Sequence, residues 1–130
     1  MLGEYGLLWH GIALAGAALD EKRRGQWLRA SATVVGAFGV NTVIKLAVLR
    51  TRPRVEGLPP LINTMTQMSY PSAHATTSAA AARALAPLVS PAIYPLAVAM
   101  ALSRLYLGVH WPSDTLAGLA LGTAVGELAS

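Results

Sequence analysis

The stretch WLRASATVVGAFGVNTVIKLAVL, residues 27–49, carries only two charged side chains, Arg29 and Lys45. A run of about 20 mostly apolar residues is what an α-helix needs to cross a bilayer core of about 30 Å. Four more apolar segments accompany it, at 5–19, 71–89, 92–108 and 112–129. Residues 5–19 are short for a full span and read as tilted, partial or interfacial. Only 12% of the chain is charged, against about 25% in a soluble domain. A small, very hydrophobic bundle in water is the alternative, but too little polar surface remains to cover it. The expected fold class is therefore all-α: one polytopic transmembrane bundle of about five helices, filling residues 1–130 as a single domain.

The basic residues explain the net charge of +4 without nucleic acid. They gather at the ends of apolar segments, as membrane topology and anionic head groups require. The bilayer is thus the expected partner, and nucleic acid is not. The absence of cysteine excludes disulfides and a thiolate nucleophile. Residues 5–19 lack a basic leader and a clear A-x-A cleavage site, so they do not read as a removable signal peptide.

Following the segments across a membrane puts residues 1–4, 50–71 and 108–113 on one face. The opposite face receives 20–26, 90–91 and the C-terminus. Lys45, Arg52, His74, Arg104, His110 and Asp114 all fall near the first face, although they come from four segments. Each has an ordinary reading by itself. Lys45 and Arg52 would snorkel to the interface; if the second helix continues to Pro53, their spacing of seven also places them on one helical face. Ser72 would be an N-cap and His74 an interfacial histidine. His110 and Asp114, four apart, would form a structural bridge.

Together they describe a phosphate site. The helix start in PSAH (71–74) offers backbone N–H groups to an anion. Arginine forks and a lysine hold phosphate oxygens. A carboxylate on one imidazole nitrogen leaves the other free as a nucleophile, so one histidine attacks phosphorus and the second protonates the leaving oxygen. A two-metal site needs several carboxylates, and this chain has only two aspartates, with Asp20 on the wrong face. Zinc held by His74, His110 and Asp114 is conceivable, but Lys45, Arg52 and Arg104 would repel it. No metal and no cofactor is expected.

These residues resemble three motifs of the type 2 phosphatidic acid phosphatase (PAP2) superfamily. KLAVLRTRP (45–53) is similar to K-x6-R-P, PSAH (71–74) to P-S-G-H, and SRLYLGVHWPSD (103–114) to S-R-x5-H-x3-D. The ordered set is far more specific than any one motif, and the resemblance covers about residues 40–125. It implies a PAP2-like helical core and metal-independent phosphoester hydrolysis through a phosphohistidine. By that resemblance His110 is the nucleophile, Asp114 orients it, and His74 is the general acid. Lys45, Arg52 and Arg104 bind the phosphate, with Ser72 and the backbone N–H of Ala73 adding hydrogen bonds. Ala73 stands where the motif has glycine, and the chain shows fewer spans than the six common among membrane members.

Lys22, Arg23, Arg24 and Arg29 lie on the face opposite the site, while Arg50 and Arg54 are the basic residues outside the motifs on the site face. The positive-inside rule then puts 20–26 in the cytoplasm and the site on the outer face of a bacterial plasma membrane. The resemblance points to lipid phosphates as substrates: phosphatidic acid, phosphatidylglycerophosphate, or polyprenyl phosphates and diphosphates. Residues 54–70 are the expected lid or tail contact. Two other classes compete with an enzyme. A non-catalytic lipid-phosphate binding or scaffold protein would need the cations but not a nucleophile–acid pair. A small transporter would not need PSAH at a helix start facing His110. Flat Ala/Gly faces are compatible with homo-oligomerisation.

Overall fold

A computed structural model describes residues 6–49, 70–106 and 111–129, with only the backbone of Arg104 and Leu105. Five α-helices run in chain order: α1 Leu7–Leu19, α2 Arg24–Val48, α3 Ala73–Leu85, α4 Ile93–Tyr106 and α5 Pro112–Ala129. A 3-10 turn, Glu21–Arg23, joins the first two. No strand occurs among the described residues. The all-helical expectation holds.

α3 is the central helix. Its thirteen residues are almost all small, and ten of them are buried, so α2, α4 and α5 all pack closely on it. At about 20 Å it is shorter than a bilayer core. Its Ala, Ser and Thr side chains suit contact between helices rather than with lipid. The hydroxyls are satisfied inside the bundle. Thr76 Oγ1 donates to the Ser72 carbonyl (2.9 Å), Thr77 Oγ1 to the Ala73 carbonyl (2.9 Å), and Ser78 Oγ accepts from Trp9 Nε1 of α1 (3.1 Å).

α5 reaches α3 through Gly118, Gly122 and Gly126, one glycine per turn, all buried. A Cβ on Gly122 would lie 2.1 Å from the Thr76 carbonyl oxygen, and one on Gly118 would lie 2.6 Å from that of Ser72. No side chain fits between these backbones. Further along, Trp9, Ala13, Trp27, Val34, Leu85 and Ile93 form the apolar core joining α1, α2, α3 and α4.

The outer surface is apolar. Leu14, Val35, Val43, Leu46, Val98 and Leu116 are all exposed. The stretch Glu21–Val48, which contains α2, has the length and composition to cross a membrane, and α1 and the segment Ile93–Ser103 are shorter apolar helices. Among the described residues, therefore, one helix clearly meets the requirement for a span, fewer than the five apolar segments suggest.

Three boundaries differ from the sequence reading for local reasons. α2 begins before the apolar segment 27–49: Asp20 accepts from the Arg23 backbone N–H and from Trp27 Nε1 (both 3.3 Å), which nucleates the 3-10 turn and starts α2 at Arg24. The Trp27 indole, with Arg23 beside it, holds the Asp20 carboxyl below the usual aspartate range, against the smaller opposing effect of burial. α3 stops at Leu85 because Pro87 lacks an N–H and disfavours helical geometry in the residue before it. α2 stops at Val48, with Leu49 in the left-handed region (φ 57°, ψ 33°) and its N–H on the Lys45 carbonyl at 3.0 Å. The condition that α2 continues to Pro53 is thereby corrected, because the helix ends at Val48 and Arg52 lies outside the described residues.

Candidate active site

Two helix starts meet at one end of the bundle. Ser72 caps α3 from an extended conformation (φ −67°, ψ 118°), its Oγ accepting from Ala75 N–H at 3.3 Å. α5 begins with Pro112 in its first turn, where the missing N–H costs nothing. Asp114 reaches back so that its Oδ2 accepts from the Trp111 N–H at 2.7 Å. This is the carboxylate half of a capping box. A backbone bond then ties the two starts together, with Ser72 N–H donating to the Asp114 carbonyl at 3.0 Å. Ser72 and Asp114 are fully buried, and His74 is nearly so.

The adjacency has an electrostatic consequence. Two helix N-termini at one place sum their positive ends, and this is where an anion is favoured. The Ala75 N–H is spent on Ser72 Oγ and the Thr76 N–H on the Ser72 carbonyl (2.9 Å). The Ala73 N–H lies ahead of both in the turn. Ser72 Oγ accepts a hydrogen bond and still carries its own proton for a second acceptor.

α2 joins this end through Asn41. Its Nδ2 donates to the Pro71 carbonyl (3.1 Å) and to Thr76 Oγ1 (2.9 Å). Lys45 follows one turn later on the same side of α2, half-buried in the last turn of the helix. α4 brings Arg104 in its final turn. The structure thus assembles Lys45, Ser72, Ala73, His74 and Asp114 at one end. Arg52 and His110 lie outside the described residues, as do residues 54–69 of the expected lid and the side chain of Arg104. The hydroxyl of Ser103 donates to the Met100 carbonyl at 2.7 Å, so its proton is used within α4.

Sequence reasoning missed Asn41 and Thr76. An amide inside the apolar segment 27–49 was the available signal, because such a group is costly to bury unless it has partners.

A cleft of about 360 Å³ lies at the opposite end, lined by Gln26, Arg29, Thr33, Arg83, Pro87 and Leu88 among others. There Arg83 forks onto both carboxylate oxygens of Glu127, joining the ends of α3 and α5. The ends of α3 and α5 are helix C-termini, whose carbonyl ends disfavour an anion, while Gln26 and Arg29 come from the first turns of α2.

The PAP2 superfamily matches residues 26–130, and the chain belongs to that superfamily of phosphatases. It is 41% identical over 127 residues to the decaprenylphosphoryl-5-phosphoribose phosphatase of Mycobacterium tuberculosis strain H37Rv, covering 97% of this chain and 72% of that one. The protein of the same name from Mycolicibacterium smegmatis is 41% identical over 117 residues, covering 89% of this chain and 65% of that one. Among solved structures, the transmembrane PAP2-type phosphatidylglycerolphosphate phosphatase of Bacillus subtilis superposes with a TM-score of 0.74 at 28% identity. It covers 98% of this chain and 69% of its own. The chain is a phosphatase.

Proposed function

We propose that the chain is a membrane lipid phosphatase that releases phosphate from a lipid-linked phosphomonoester or diphosphate, without metal, through a phosphohistidine. The observation that carries this reading is the bond from Ser72 to Asp114, which puts an anion-favouring helix start beside a buried carboxylate. The imidazole of His110, with one nitrogen donating to Asp114, attacks phosphorus with the other. The bond from phosphorus to the lipid oxygen breaks, and His74 gives that oxygen its proton. Water then attacks phosphorus and gives a proton to His74 as the phosphorus–nitrogen bond breaks, which releases inorganic phosphate and restores both histidines. Lys45, Arg52 and Arg104 hold the oxygens while charge builds on them. Ser72 Oγ and the Ala73 N–H complete the cradle.

The apolar exterior of α2 supports a substrate whose tail stays in the bilayer. The cations at 22–24 and Arg29 support an outward-facing site in a bacterial plasma membrane. Among lipids, we favour a polyprenyl-linked sugar phosphate over a glycerolipid phosphate, because the relatives that act on a decaprenyl-linked phosphoribose are closer in sequence than the phosphatidylglycerolphosphate phosphatase. Phosphate release by purified protein from a polyprenylphosphoryl-5-phosphoribose, phosphatidylglycerophosphate and phosphatidic acid tests this. The expected result is kcat/KM at least about tenfold higher for the polyprenyl substrate, a difference of roughly 1.4 kcal/mol in transition-state binding. Preference for phosphatidylglycerophosphate would move the substrate to glycerolipids. No release from any of the three would overturn the lipid phosphatase itself.

A further inference from the structure

We propose that Asn41 is a positioning residue for phosphoryl transfer: its amide locks α2, and with it Lys45, to the turn that carries Ser72, Ala73 and His74. The inference rests on the phosphatase reading above and deepens it.

Asn41 is fully buried. The orientation of its amide follows from its neighbours. The Pro71 carbonyl can only accept, so the group facing it at 3.1 Å is the NH2. The second hydrogen goes to Thr76 Oγ1 at 2.9 Å, and Thr76 passes its own hydrogen to the Ser72 carbonyl at 2.9 Å. Both donors of one side chain are therefore spent on residues 71–76, either directly or through Thr76. The other side of the same turn is held by α5, through the Asp114 carbonyl on Ser72 N–H. The turn is fixed between two helices, and Asn41 is the clamp from α2.

The oxygen of the same amide, Oδ1, is buried with no hydrogen-bond partner among the described residues. An unpartnered buried oxygen is a cost that a leucine at this position would avoid. What only the amide supplies here is the pair of donors. Lys45 lies one turn along the same helix. Losing the clamp lets α2 shift against α3 and moves the lysine relative to the phosphate cradle. Asn41 acts through Lys45 and the turn.

The test uses Asn41→Leu, which keeps the branched skeleton with bulkier tips and removes the donors, and Thr76→Val, which keeps the shape and removes the relay hydroxyl. Both are purified in detergent. The readouts are kcat and KM on the preferred lipid phosphate, inhibition by inorganic phosphate, and the melting midpoint. The expected result for Asn41→Leu is a fall in kcat of roughly 10- to 100-fold, because small misplacements of reacting groups cost that much. KM should stay near wild type, since the lipid tail still binds, while inhibition by phosphate weakens. Thr76→Val should show the same pattern more mildly, and the double variant should be little worse than Asn41→Leu. A lowered melting midpoint with kcat and phosphate inhibition within about twofold of wild type would make the amide a structural tie only, and overturn the inference. If Asn41→Leu does not fold, Thr76→Val decides by the same criteria. If wild-type protein cleaves no lipid phosphate, the phosphatase reading fails separately, and direct titration with inorganic phosphate still decides: unchanged affinity in the variants overturns the clamp.

Discussion

Asp114→Asn should lower kcat by about 1,000-fold while leaving the fold nearly untouched, as expected where a carboxylate orients a catalytic imidazole and stabilises its positive form. The asparagine oxygen can still accept from the Trp111 N–H, so the start of α5 remains capped. The main-chain carbonyl that receives Ser72 N–H is unaffected by the side chain. Asp114→Ala should lose as much activity and also about 1 kcal/mol of stability, because the cap goes with the carboxylate. Steady-state phosphate release and thermal melting of the two variants separate the roles. Asp114→Asn within about threefold of wild-type kcat would reduce Asp114 to a helix cap.

Gly122→Ala is expected to lower the melting midpoint of the detergent-purified protein by roughly 10 °C. The added Cβ would stand 2.1 Å from the Thr76 carbonyl oxygen, and backbone cannot rotate away as a long side chain can. α3 and α5 would have to separate, and that separation would reach the Ser72–Asp114 bond at the site. Gly36→Ala and Gly39→Ala are the controls. Both positions sit in α2 with open space around a Cβ, so the better helix former should be neutral or slightly stabilising. A Gly122→Ala midpoint matching those controls would contradict the close α3–α5 approach.

The parts of the fold that were legible in the sequence are those with local causes. Ser72 ahead of an Ala-rich run marks the start of α3, and Pro112 ahead of Asp114 marks that of α5, whose ends match the apolar segment 112–129. The end of α2 was not legible, because the residue that turns left-handed is Leu49, where glycine is the usual signal. The start of α2 was hidden for a related reason: the acceptor role of Asp20 depends on Trp27, seven residues away.

The site divides in the same way. Lys45, Ser72, His74 and Asp114 were legible as chemistry, since cations, a helix start, an imidazole and a carboxylate point to phosphate whatever the fold. Which end they reach followed from counting apolar segments. Asn41 was not legible as a partner of Pro71 and Thr76, because those contacts span 30 and 35 residues and depend on how α2 leans on α3. The Ala/Gly faces were visible in the sequence, but not the register of the α5 glycines against Ser72 and Thr76.

The most direct test of the account is phosphate release by wild type and His110→Ala, each assayed on the preferred lipid phosphate with EDTA present. The account predicts undiminished release by wild type in EDTA and a loss of about 1,000-fold or more in His110→Ala. Release that stops in EDTA and returns with a divalent metal, or that survives in His110→Ala, would contradict a metal-free phosphohistidine route.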